Sequence, residues 1–218
     1  MATMTQSATN GEQRIVLYGV SWETYQALRH TDESRRGSVR MTYDRGRLIL
    51  MSPSQEHEQH AERLRLMIRM AALGIDLNCM GVGRMTLLRK EAQRGKEPDT
   101  AFYLANEPLV RAKEIDLDVD PPPDLAVEVE IAQKDKETLS VYAALGVPEV
   151  WHYDGRSLRV LQLQANAIYL HVAASPSLPF LPMAEIPRWL ERAESEGETA
   201  MLAAFLDWVR NELSPRRP

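Results

Sequence analysis

Pro123-Asp124-Leu125-Ala126-Val127-Glu128-Val129-Glu130 carries the fold of this chain. Leu125, Val127, Val129 and Ile131 alternate with Asp124, Ala126, Glu128 and Glu130, the two-residue period of a strand with one apolar face. Glu128 and Glu130 therefore point the same way. Upstream, Glu97-Pro98-Asp99 leads into Thr100-Ala101-Phe102-Tyr103-Leu104, which is apolar and aromatic enough for a short strand. Asp99 enters it just after Pro98, where a missing backbone donor does little harm. If the two strands pair, Asp99, Glu128 and Glu130 come within reach of one cation. An all-oxygen ligand set suits Mg²⁺ or Mn²⁺ better than zinc, and such a centre suits phosphodiester hydrolysis. The competing reading is an ordinary amphipathic strand with its glutamates on a wet face.

Working outward, residues 39–51 hold two strand-like runs about Asp44-Arg45-Gly46, a hairpin signal. Pro53-Ser54 ends the second run and opens a helix over about 55–73. Ala61, Leu64, Ile68 and Ala71 share one face of it, with Glu56 and Glu58 in the first turn, where the helix dipole favours negative charge. His57 falls on the apolar stripe, where a lone histidine is more often a satisfied core residue than a catalyst. His57-Glu58-Gln59-His60 spaces its histidines by three, not the four of a zinc-protease helix, which disfavours zinc.

Ser21 is a good cap for a short helix over 22–28. Residues 75–80 and 84–88 are candidate strands. Beyond the acidic strand, a helix near 137–145 should turn Leu139, Tyr142 and Ala143 inward and stop at Gly146. Strands follow at 150–153, 158–164 and 168–172. Helices at 183–189 and 199–209 close the chain, the second with a Leu202, Phe205, Val209 stripe. Residues 1–14 are polar, with no apolar stretch behind a basic start, and read as a disordered terminus without a secretory signal. With no internal repeat or long linker, 15–212 reads as one domain and 213–218 as a basic tail.

The 218 residues, 44% of them hydrophobic, are enough for a substantial core, and no apolar run approaches the roughly 18 residues of a membrane span. Cys79, the single cysteine, fits a reducing cytoplasm. A net charge of −5 argues against generic nucleic-acid affinity. Its distribution softens that objection: residues 63–96 carry eight bases against two acids, and 107–137 ten acids against four bases. One region could meet phosphate while the other holds metal, unless both are simply solvated faces.

Pro98-Asp99, then Glu128-Val129-Glu130, then Tyr142-Ala143-Ala144-Leu145-Gly146-Val147-Pro148-Glu149-Val150-Trp151 resemble the Uma-type "putative restriction endonucleases", a bacterial branch of the PD-(D/E)xK nuclease superfamily. The likeness extends to Arg47-Leu48-Ile49-Leu50-Met51-Ser52-Pro53 with His57 just after, to 97–106, 115–130, Phe180-Leu181-Pro182 and 198–210. It implies an α/β (α+β) restriction-endonuclease-like fold: a mixed central sheet flanked by helices, with an N-terminal hairpin and a C-terminal helical extension. It also implies Mg²⁺ or Mn²⁺ held by Asp99 and Glu128 with the carbonyl of Val129, DNA as substrate, and His57 as a further site residue. The chain departs from the pattern where the motif expects a lysine two residues after the acid, because Glu130 stands there. Lys134 and Lys136 are the nearest substitutes, and Glu130 becomes a further ligand or orients the attacking water.

The expectation is a cytoplasmic, metal-dependent DNA endonuclease without membrane association, with a homodimer suggested by the need to cut two strands. Two rivals stand beside it: a nuclease fold kept as a non-catalytic module binding DNA or protein, and a hydrolase of another phosphate ester. No Gly-rich phosphate loop, Cys-Cys metal pair or Gly-x-Ser-x-Gly elbow supports a different chemistry. Three crowded carboxylates without metal should repel one another and raise the apparent pKa of at least one.

Overall fold

The computed structural model describes residues 4–9, 11–30, 39–131 and 138–213, and its strands fall into two six-stranded sheets. The first comprises β1 (Met4–Thr9), β2 (Glu12–Tyr18), β3 (Arg40–Asp44), β4 (Arg47–Ser52), β6 (Leu87–Arg89) and β7 (Arg94–Lys96), in the order β1-β2-β4-β3-β7-β6 and antiparallel throughout. The second comprises β5 (Met80–Gly83), β8 (Thr100–Tyr103), β9 (Leu125–Val129), β10 (Glu149–Tyr153), β11 (Leu158–Leu163) and β12 (Tyr169–Val172), in the order β12-β11-β10-β9-β8-β5. It is mixed, because β9 and β10 run parallel.

The β3–β4 hairpin forms where the sequence signals it. Arg45 and Gly46 both take positive φ, 43° and 94°, the left-handed pair that a two-residue hairpin turn requires. The N-terminus departs from the expected disorder: β1 and β2 pair with each other, and β2 pairs with β4, setting Val16 opposite Ile49. Its polarity hid the strand, since the partner that stabilises it lies more than thirty residues away. The strand expected at 75–80 begins only at Met80. Residues before it are still closing the preceding helix, with Leu77 N–H donating to the Ala72 carbonyl at 2.9 Å and Asp76 at φ 57°.

Six α-helices are described: α1 (Trp22–Arg29), α2 (Gln55–Gly74), α3 (Glu107–Val110), α4 (Thr138–Leu145), α5 (Ile186–Glu196) and α6 (Glu198–Trp208). None among the described residues is long and apolar enough to cross a membrane. α2 lays Ala61, Leu64, Ile68 and Ala71 against Leu125, Val127 and Val129, and Leu190, Phe205 and Val209 from the C-terminal helices complete that core. The buried stripe of α6 runs through Met201 and Phe205 to Val209, with Leu202 only partly covered.

On the opposite face of β9, Ala126 meets Val141, Tyr142 and Leu145 of α4, which also packs on β7, β3 and β6. Gripped by both sheets, α4 buries Thr138, Val141, Tyr142 and Leu145 rather than Leu139 and Ala143. α1 covers the first sheet through Trp22, Tyr25 and Tyr43, the two tyrosine rings stacked 4.7 Å apart. Gly95 permits this approach, because a Cβ there would run into the Tyr25 ring and hydroxyl. At the far end of the β8–β9 pair, Asp124 accepts from the Leu104 and Asn106 backbone N–H groups at 2.7 and 3.0 Å and from Asn106 Nδ2 at 2.8 Å.

Candidate active site between the two sheets

β8 and β9 pair antiparallel with Thr100 opposite Val127, so Asp99, one step before β8, falls opposite Glu128. Val129 N–H donates to Asp99 Oδ2 at 2.6 Å. The Val129 carbonyl lies on the same edge of β9, since both backbone groups of a strand residue face one neighbour. Asp99 Oδ1 accepts from Arg40 Nη1 and stands 3.0 Å from His57 Nε2. Arg40 Nη1 is also 2.5 Å from that nitrogen, and Arg40 Nη2 donates to Glu58 Oε1 at 2.8 Å. His57 is turned inward by the α2 cap, where Ser54 Oγ accepts its N–H at 3.1 Å, and its Nδ1 meets Glu12 Oε1 at 2.8 Å.

Glu128 points into the space between the sheets. Its Oε1 accepts from the Tyr142 hydroxyl of α4, and its Oε2 lies 3.0 Å from Lys96 Nζ of β7. Burial, with the Glu128 charge behind it, pushes the Tyr142 phenol well above its ordinary range, so it stays protonated and donates. Beside Lys96, the buried Glu97 accepts from Met41 N–H at 3.2 Å and Thr86 Oγ1 at 3.3 Å, stitching β7 to β3. Lys96, Glu128, Glu130, Thr42 and Thr138 line a pocket of about 60 Å³. Glu130 is held there by His152 Nε2 at 2.8 Å. Asp99 borders a separate cleft of about 280 Å³, with Glu58, Arg65 and Arg84.

Asp99 is thus brought to His57 and the Val129 N–H, with Glu128 on the facing rung, while Glu128 and Glu130 share the other pocket. Lys134 and Lys136 lie outside the described residues. Two buried cations were missed by sequence reasoning, Arg40 and Lys96. Lys96 lies three residues before Asp99, in Lys96-Glu97-Pro98-Asp99, but counted there only as one charge in a basic stretch. Its burial depends on the β7 pairing and on α4, neither of which local pattern reveals.

Among the described residues, no three His, Cys, Asp or Glu side chains stand close enough to share a metal ion. Both Asp99 oxygens are taken by Arg40 and Val129 N–H, and both Glu128 oxygens by Tyr142 and Lys96. As placed, these side chains do not fit a divalent ion. Each carboxylate instead faces its own donor or cation. Burial lowers the Arg40 pKa, while the charges of Glu58 and Glu128 oppose that shift.

The chain has no match among curated proteins. A crystal structure of "a putative nuclease belonging to DUF820" from Anabaena variabilis resembles it with a TM-score of 0.50 and 16% identity, over 69% of this chain and 90% of that one. That likeness is one of fold, and it agrees with the restriction-endonuclease-like α/β architecture. A family model, Uma2, described as "Putative restriction endonuclease", matches residues 22–193, most of the chain. On that match, the chain belongs to the Uma2 family.

Proposed function

We propose that this chain is an endonuclease that hydrolyses DNA phosphodiester bonds in the pocket between its sheets. The observation that supports it most is the buried Lys96, set 3.0 Å from Glu128 beside the Asp99 corner. A lysine next to the second acidic residue is what the nuclease motif calls for, and here it comes from β7 rather than from β9. Its ammonium would stabilise charge developing on the scissile phosphate, a preorganised contribution of about 3 kcal/mol. Glu130, held by His152 on the same pocket wall, would orient a water and take its proton. The water oxygen then bonds to phosphorus as the bond to the leaving oxygen breaks. Arg65 and Arg84, by the Asp99 cleft, suit the DNA backbone. A divalent ion, which the family resemblance implies, has no place among the side chains as they stand.

The test is incubation of the purified chain with supercoiled plasmid in Mg²⁺, in Mn²⁺ and in EDTA, alongside Asp99→Ala and Lys96→Met. Nicking or linearisation by the wild type, lost in both variants, supports the reading. Plasmid left intact by the folded wild type under all three conditions overturns it. That outcome favours the non-catalytic module, a reading that draws on the internal pairing of every site carboxylate. A homodimer in the cytoplasm belongs to the same proposal, and gel filtration tests its stoichiometry.

A further inference from the structure

Glu130 stands one step beyond β9, yet its N–H donates to the Tyr153 carbonyl at 2.8 Å, so the pairing with β10 carries on through it and fixes its backbone. The same pairing sets His152 opposite Glu128, and the next sets Arg159 of β11 opposite His152. The oxygens of Glu128 are taken by Tyr142 and Lys96, and His152 turns its Nε2 to Glu130 Oε2 instead, at 2.8 Å. Its Nδ1 lies 3.2 Å from Arg159 Nη2. A guanidinium has five N–H donors and no acceptor, so the ring nitrogen facing it is the one without a proton. The partner of one ring nitrogen decides the state of the other, and Nε2 therefore carries the proton and donates to Glu130. With its lone pair turned to Arg159 and its proton to a carboxylate, His152 has no nitrogen left to act as a base. Glu130 Oε1 meets no donor among the described residues, and this carboxylate lines the pocket that holds Lys96.

We propose that Arg159 and His152 are positioning residues for Glu130. Arg159 fixes the tautomer of the ring, the ring holds Oε2, and Oε1 is left to take the proton of the attacking water as the water oxygen bonds to phosphorus. This rests on the nuclease reading and adds to it a base anchored from two neighbouring strands. Arg159 is exposed, so its competing role is a direct contact with the DNA backbone. The two roles move different quantities. A phosphate contact made equally in ground and transition states shows in KM, whereas a misplaced base shows in kcat.

The test joins steady-state plasmid cleavage by the wild type, Arg159→Met, His152→Leu, His152→Gln and Arg159→Met/His152→Leu to long-range proton–nitrogen NMR of the histidine rings. The spectra are taken at about pH 8, above the ordinary imidazole pKa of about 6.5. Arg159→Met and His152→Leu should each lower kcat by roughly ten- to a hundredfold with KM held, the scale of a misplaced reacting group. A glutamine offers one donor end and one acceptor end without a titrating ring, so His152→Gln should recover most of the kcat that His152→Leu loses. The double variant should lose no more than His152→Leu, because Arg159 acts only through the ring. The spectra should show His152 with Nδ1 bare and Nε2 protonated, and the Nδ1 resonance should shift in Arg159→Met. The proposal is overturned by an Arg159→Met chain that raises KM and keeps kcat, by an equal loss from Arg159→Met with and without the ring, by His152→Gln as impaired as His152→Leu, or by a proton on Nδ1. If His152→Leu does not fold, the kcat of Arg159→Met, changed at an exposed position, and the spectra decide. A wild type that leaves plasmid intact sinks the nuclease reading, and the spectra then decide the Arg159–His152–Glu130 chain alone. An active wild type with a proton on Nδ1 sinks this proposal and leaves the nuclease reading standing.

Discussion

Lys96 of β7 and Glu128 of β9 meet at 3.0 Å with both side chains 6% exposed, so a buried ion pair joins the two sheets at the pocket. Removing one partner strands the other. Lys96→Met should cost about 3–5 kcal/mol and lower the melting temperature by roughly 10 °C. Lys96→Met/Glu128→Gln should recover most of that loss in a thermal melt. Cleavage, reduced by about a hundredfold or more in the single variant, should stay reduced in the double. Activity that returns together with stability would make Lys96 a structural residue only.

Gly95 lies under the Tyr25 ring, with no room for a Cβ. Gly95→Ala should destabilise the chain by about 1–3 kcal/mol through overpacking. Gly95→Ala/Tyr25→Ala should lose less than the sum of the two single changes, which a double-mutant cycle in urea measures directly. Additive losses would mean that the two residues do not press on each other.

Ser54 caps α2 by accepting the N–H of His57, so the cap and the orientation of the site histidine are one feature. Ser54→Ala should cost about 1 kcal/mol of stability. It should also shift the His57 ring resonances in an NMR spectrum, with Ser54→Asp restoring both.

His60 is buried against the edge of the Tyr153 ring, 5.1 Å between centroids. Burial, and then the charge of Arg63, lower its pKa from the ordinary 6.5. The folded chain therefore binds this proton less readily than the unfolded one. The stability contribution is complete above the unfolded pKa of about 6.5 and is lost as pH falls below it. His60→Leu should be less sensitive than the wild type to a pH drop from 7 to 5 in denaturant melts. An unchanged slope would remove His60 from the acid limb.

The parts of this molecule that were legible in the sequence are those that depend on near neighbours. The alternation of 124–131, the Asp44-Arg45-Gly46 turn, the Ser21 and Ser54 caps and the Gly146 stop each signal a local backbone state, and each forms as read. Asp99 and Glu128 could be placed opposite each other because one strand pairing suffices to do it. The division of the strands into two sheets, the N-terminal strands and β7 were hidden because those pairings join short or polar runs to distant partners. Arg40 and Lys96 were hidden for the same reason: a basic residue reads as solvated until its strand is placed beside an acidic one. A carboxylate cluster seen from sequence alone likewise suggests an ion from outside, when the chain brings two cations of its own.

Asp124 holds the Leu104–Asn106 turn at the opposite end of the strand pair from Asp99. It works as a clasp that decides which tooth of β8 meets which tooth of β9, and Asp99 reaches Val129 only in that engagement. A two-residue slip would keep every side chain on its proper face, yet Asp99 would face a different rung. The alignment of the site is therefore set from a distance, by a carboxylate that takes no part in its chemistry.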